Sequence, residues 1–62
     1  MQSKKLLYTK KVNGSLIRLI LFNGHFLVNL FQPSGHFSSN RFSSAIQAYS
    51  FINFLTNKLK KS

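Results

Sequence analysis

Nine cationic side chains, two histidines and seven phenylalanines are the groups in this 62-residue sequence that could do chemistry. What they could do is limited at once, because the sequence contains no Asp, no Glu and no Cys. Without side-chain carboxylates there is no Asp or Glu to serve as acid or base, no carboxylate metal ligand and no side-chain ion pair. Without Cys there is neither a disulfide nor a thiolate. His25 and His36 stand eleven residues apart with no such helper, so no metal site is expected. Ser and His are present, yet nothing can orient the imidazole and no Gly-rich loop can cradle a phosphate. The chain reads as a non-enzyme without metal or cofactor.

What remains is attraction to negative charge. A formal net charge of +9 draws polyanions through long-range fields. The candidate partners are nucleic acid, an acidic protein or large acidic assembly and, less favoured, an anionic membrane surface. High net charge also marks disordered chains, but those are poor in apolar residues. Here 44% of residues are hydrophobic, so one small domain over 1–62 is expected to fold. The abundance of Phe, Ile, Asn, Lys and Tyr matches AT-rich coding DNA. The first lysines are followed by only Leu6-Leu7-Tyr8 before Thr9 and further lysines, which is too short for a secretory signal and favours an intracellular location. The apolar stretch 16–31 is interrupted by Arg18, Asn23, Gly24, His25 and Asn29. It falls short of the ~20 apolar residues a spanning helix needs, so no transmembrane segment is expected.

The elements that position these groups can be read from turn chemistry. Asn13-Gly14 and Asn23-Gly24 suit the two positive φ angles of a type I′ hairpin turn. They predict a three-stranded antiparallel meander with strands at 5–12, 15–22 and 25–32. Pro33-Ser34-Gly35 is expected to end it, since Pro cannot donate to a ladder. Residues 36–43 read as a loop with room for a short extra strand. A helix is predicted over 45–60, started by Ser44 and Gln47 as a capping box. Its apolar stripe is Ala45, Ala48, Tyr49, Ile52, Leu55 and Leu59. The fold class is therefore α+β, with the helix packed on one sheet face and residues 1–4 and 61–62 expected as disordered ends.

Two-residue turns fix the register, and hence which side chains share a face. The inner face should collect Leu6, Tyr8, Val12, Ile17, Leu19, Leu21, Phe26, Val28 and Leu30, with Lys10 snorkelling to the edge. The outer face should collect Lys5, Thr9, Lys11, Arg18, His25 and Asn29 beside Leu7, Leu16, Ile20, Phe22, Leu27 and Phe31. One helix cannot cover both faces, so the outer one is expected to be a partner surface. Two readings of it stand side by side. In the first, Lys5, Lys11 and Arg18 neutralise phosphates, Asn29 reads a base edge, and Phe22, Phe31 or His25 stack on bases. In the second, Leu7, Leu16, Ile20 and Leu27, with Phe51 and Phe54 projecting from the helix, form an interface for an acidic protein or a second copy.

Two further groups of cations and serines lie outside the face. Arg41, Ser43 and Ser44 precede the helix, whose free amides favour anions; the simpler alternative is capping by a serine with Arg41 solvated. Lys58, Lys60 and Lys61 end the helix, where the dipole favours cations, and could add non-specific phosphate contacts.

Three strands followed by one helix resemble the arm-type DNA-binding domains of phage integrases and the ethylene-response-factor type of DNA-binding domain. The local likeness is Phe42-Ser43-Ser44-Ala45-Ile46-Gln47-Ala48-Tyr49, similar to their Phe-x-Ser/Thr entry into an Ala-containing helix. It covers eight residues of a generic strand-to-helix junction. The resemblance implies a sheet laid in a major groove. Those families carry Arg- and Trp-rich strands, whereas this outer face holds several aliphatic residues and the sequence has no Trp. The likeness is therefore one of fold alone.

Overall fold

The computed structural model describes residues 4–61, which form an open antiparallel sheet followed by one helix. The sheet has four strands, not three: β1 (Lys4–Val12), β2 (Ser15–Phe22), β3 (His25–Phe31) and β4 (Phe37–Phe42), in that spatial order. The helix α1 spans Ala45–Lys60, the range expected from its stripe. Lys4 and Lys61, expected in disordered ends, are instead the first residue of β1 and the C-cap of α1. The same expectation for residues 1–3 and 62 lies outside the described residues.

Both Asn-Gly turns form. Asn13 and Asn23 have φ of 50° and 52°, and each Gly follows with positive φ, as a type I′ turn requires. The resulting pairs Leu21/Phe26, Leu19/Val28 and Ile17/Leu30 are those the turn spacing predicts.

Pro33-Ser34-Gly35 does not end the meander. It is a third hairpin turn, closed by Gly35 N–H donating to the Gln32 carbonyl at 3.0 Å and Gln32 N–H donating to the His36 carbonyl at 2.9 Å. Gly35 takes φ +97°, as a type I turn plus one left-handed residue demands. Pro33 sits in the turn, where its missing N–H is harmless. The chain then returns as β4 along β3, with Phe31 opposite Phe37 and Phe26 opposite Phe42.

A second departure is a register shift in β1 between Leu6 and Tyr8. Tyr8 lies opposite Leu19 as expected, but the extra residue, Leu7, reverses the facing of everything before it. Leu6 falls opposite Ile20 on the outer face instead of beside Leu21. Lys5 falls opposite Leu21 on the inner side, and Lys4 opposite Phe22 on the outer one.

The core lies between the helix and the two central strands, with Val12 added from β1. Val12, Ile17, Leu19, Val28 and Leu30 from the sheet meet Ala48, Ile52 and Leu55 from α1. Each large side chain fully removed from water here contributes about 1.5–3 kcal/mol. Aromatic contacts close both flanks: Tyr8 meets Tyr49 edge-on at 5.9 Å, and Phe42 meets Phe51 at 5.2 Å. Ser44 caps the helix by accepting from Gln47 N–H at 3.3 Å. At the other end Asn13 Nδ2 donates to the Leu59 carbonyl at 2.8 Å, tying the first turn to the last helical turn. Thr56, though buried, donates Oγ1–H to the Ile52 carbonyl at 2.8 Å.

Candidate nucleic-acid interface

The outer sheet face, opposite the helix, is built of four transverse rows that follow from the pairing. Nearest the Asn13 turn lie Lys11, Leu16, Phe31 and Phe37. Next come Thr9, Arg18, Asn29 and Ser39, a row of polar residues only. Leu6, Ile20, Leu27 and Arg41 form the third, and Lys4, Phe22 and His25 the fourth. Every row therefore holds one Lys or Arg. Adjacent rows are two residues apart along β2, β3 and β4, or roughly 7 Å.

Cations and rings on this face are in contact. The Arg18 guanidinium carbon lies 5.5 Å from the Phe31 ring centre, and Lys4 Nζ lies 5.5 Å from that of Phe22. Both distances fall within the range of cation–π attraction. Phe31 and Phe37 face each other across β3 and β4 with ring centres 4.9 Å apart and planes tilted by 47°. Phe37 is 56% exposed and Phe31 37%, so the pair is open to solvent. Beside it Ser39 Oγ–H donates to Asn29 Oδ1 at 2.8 Å, which holds that amide in one orientation.

No family of known proteins, no curated protein and no solved structure matches the chain. The resemblance to three-stranded DNA-binding domains also meets a structural departure, the fourth strand. The chain's own surface is what remains to indicate a function.

Of the residues expected on this face, Lys11, Arg18, His25, Asn29, Phe22 and Phe31 are brought together there. Lys5 is not, because the Leu7 bulge turns it to the helix side. Leu16, Ile20 and Leu27 occupy the face but are half-buried between their neighbours. Phe51, expected as exposed partner surface, packs instead on Phe42 and the core margin, because the fourth strand extends the sheet beneath it. Phe54 stacks on Phe51 at 6.2 Å and stays exposed.

The grouping of Arg41 with Ser43 and Ser44 separates. Arg41 pairs with Leu27 and joins the outer face, while Ser44 spends its hydroxyl on the helix cap. His25 and His36 lie at opposite ends of β3, in keeping with their separate turns. Lys58 and Lys60 end the helix and Lys61 follows them, all three exposed, at the end of the molecule where Asn13 meets Leu59. No helix among the described residues is long and apolar enough to cross a membrane.

Five members of the face go beyond those expected there from sequence: Lys4, Leu6, Phe37, Ser39 and Arg41. A signal for Phe37 and Ser39 exists, since Phe37, Ser39 and Arg41 alternate with period two directly after a three-residue turn containing Gly.

Proposed function

We propose that this chain is a small, non-enzymatic nucleic-acid-binding module that uses its outer sheet face. One observation carries the reading: an uncovered face with a cation in each of its four rows, two of them lying against aromatic rings. Lys4, Lys11, Arg18 and Arg41 are the phosphate contacts. Asn29, with its amide held by Ser39, is placed to meet a base or sugar edge. With no acidic side chain anywhere in the sequence, no side chain offsets this field. The tail lysines 58, 60 and 61 add general attraction.

The half-burial of Leu16, Ile20 and Leu27 also favours nucleic acid, because the aliphatic part of the face is less open than its composition suggests. Docking on an acidic protein is the second reading. It draws on Leu6, 56% exposed in the third row, and on Phe54. Leu6→Ser with Phe54→Ser would abolish capture of such a partner yet leave nucleic-acid affinity within a small factor.

Titration against duplex DNA, single-stranded DNA and RNA at two salt concentrations tests the proposal. If Z phosphates are neutralised, log K should fall against log salt with a slope of about −0.7Z to −0.9Z. Absence of binding to all three near ~50 mM salt, where such contacts are strong, would remove the reading.

A further inference from the structure

We propose that the ligand of this face is single-stranded nucleic acid, with an unpaired base stacked on Phe37. The inference rests on the nucleic-acid reading above and narrows its substrate class. Two independent features of the fourth strand carry it.

The first is width. Four strands at about 4.8 Å spacing span roughly 14 Å between the outer backbones, before any side chain is added. The major groove of B-DNA is about 12 Å wide and admits a helix or a two-stranded ribbon. β4 therefore makes the sheet too broad to be laid into the groove face-on, whereas a single strand can cross it without entering anything.

The second is the aromatic pair that β4 completes. In a duplex the faces of the bases are covered by their neighbours, so an exposed ring gains little from them. An unpaired base presents that face, and stacking on aromatic side chains is the common device of proteins that hold single strands. Phe37 is the more open ring, 56% exposed. Phe31 supports it at 4.9 Å, and the Arg18 guanidinium lies in turn over Phe31. Lys11 shares the row of the two rings, and Arg18 the row beside it. A base on Phe37 would thus have two cations near its flanking phosphates. The Asn29–Ser39 pair lies on the adjoining row, where it can meet the sugar or the base edge. The lysines at the helix end stand at this same end of the molecule, so the local field is positive on both sides of the sheet. Because the stack uses the π-face of the base, ribose and deoxyribose strands should both be held.

The test compares four fluorescently traced ligands at low and moderate salt: oligomers of deoxythymidine and of uridine, about 12 nucleotides long, a duplex of equal length, and inorganic polyphosphate. Phe37→Ala should weaken both single-stranded oligomers by roughly 5- to 150-fold, the range for removal of one stacked base. It should leave duplex and polyphosphate binding within about twofold and the salt slope unchanged, since every phosphate-binding cation is retained. Phe37 is exposed and outside the core, so circular dichroism should match the parent. Phe37→Trp should retain the affinity. As the sequence has no other Trp, its fluorescence should be quenched by the oligomers and not by polyphosphate. Equal binding of duplex and single strands, with Phe37→Ala without effect, would overturn the stacking proposal but leave a charge-driven nucleic-acid binder. Failure of the parent to bind any of the nucleic acids would overturn both.

Discussion

Replacing Gly35 by Ala should cost the protein stability and disturb the outer face together, because the third hairpin delivers Phe37, Ser39 and Arg41 to it. Gly35 has φ +97°, beyond even the left-handed region that non-glycine residues sometimes visit. No atom lies within 4 Å of where a Cβ would stand, so the penalty is conformational and not a clash. Left-handed backbone costs an L-residue roughly 1–2 kcal/mol, offset by about 0.4–1 kcal/mol from the lower entropy of the unfolded chain. The net loss is about 1 kcal/mol, worth ~4–8 °C in Tm for a domain of this size. Gly14→Ala provides the internal comparison. There φ is +83° and the added Cβ would also stand 3.3 Å from Pro33 Cγ, so its loss should be the larger. Urea unfolding followed by circular dichroism measures both. A Gly35→Ala protein as stable as the parent would mean that residues 32–36 do not form this turn, and the placement of Phe37 on the face would fall with it.

Other consequences follow from particular contacts. Asn13→Gly keeps the turn but removes the bond to the Leu59 carbonyl, so stability should drop by about 0.5–1.5 kcal/mol in urea titration. Ile52→Ala opens a cavity where α1 meets the sheet and should cost about 2–5 kcal/mol, enough for loss of cooperative melting in a chain this small. Because all nine formal charges have one sign, added salt should raise Tm through screening even without ligand. A Tm that falls between about 10 and 200 mM NaCl would show that self-repulsion is not what limits stability.

The two Asn-Gly hairpins and the helix were legible because their signals are local. Type I′ turns set the register of β2 and β3 to the residue, and with it the buried row of Ile17, Leu19, Val28 and Leu30. The fourth strand was harder to read. Phe37–Phe42 lies at a sheet edge with Ser38, Ser39 and Asn40 all exposed, so it lacks the inward apolar alternation that marks a strand. Only Phe42 reaches the core margin. The bulge at Leu7 was hidden for another reason: Leu6 and Leu7 are adjacent and alike, so a one-residue slip leaves the hydrophobic pattern unchanged. The position of Phe51 depended on β4, because a three-stranded sheet would have left its ring unpaired. The candidate face is thus legible in its centre, at Arg18 and Asn29, and hidden at its two edges, where the β1 bulge and β4 lie.

The proposed nucleic-acid binding depends on placement of charge on the outer face, not on net charge alone. Two triple variants of equal net charge test it: Lys11→Gln, Arg18→Gln, Arg41→Gln on the face, and Lys58→Gln, Lys60→Gln, Lys61→Gln on the tail. Affinity for a single-stranded oligomer should be measured for each across a series of salt concentrations. The face variant should reduce the steepness of the log–log salt slope by about 2 units, at roughly 0.7 for each phosphate no longer neutralised, and bind far more weakly. The tail variant should lose far less affinity and keep a slope close to the parent's. Equal losses from the two would mean that net charge alone, and not the outer face, governs binding.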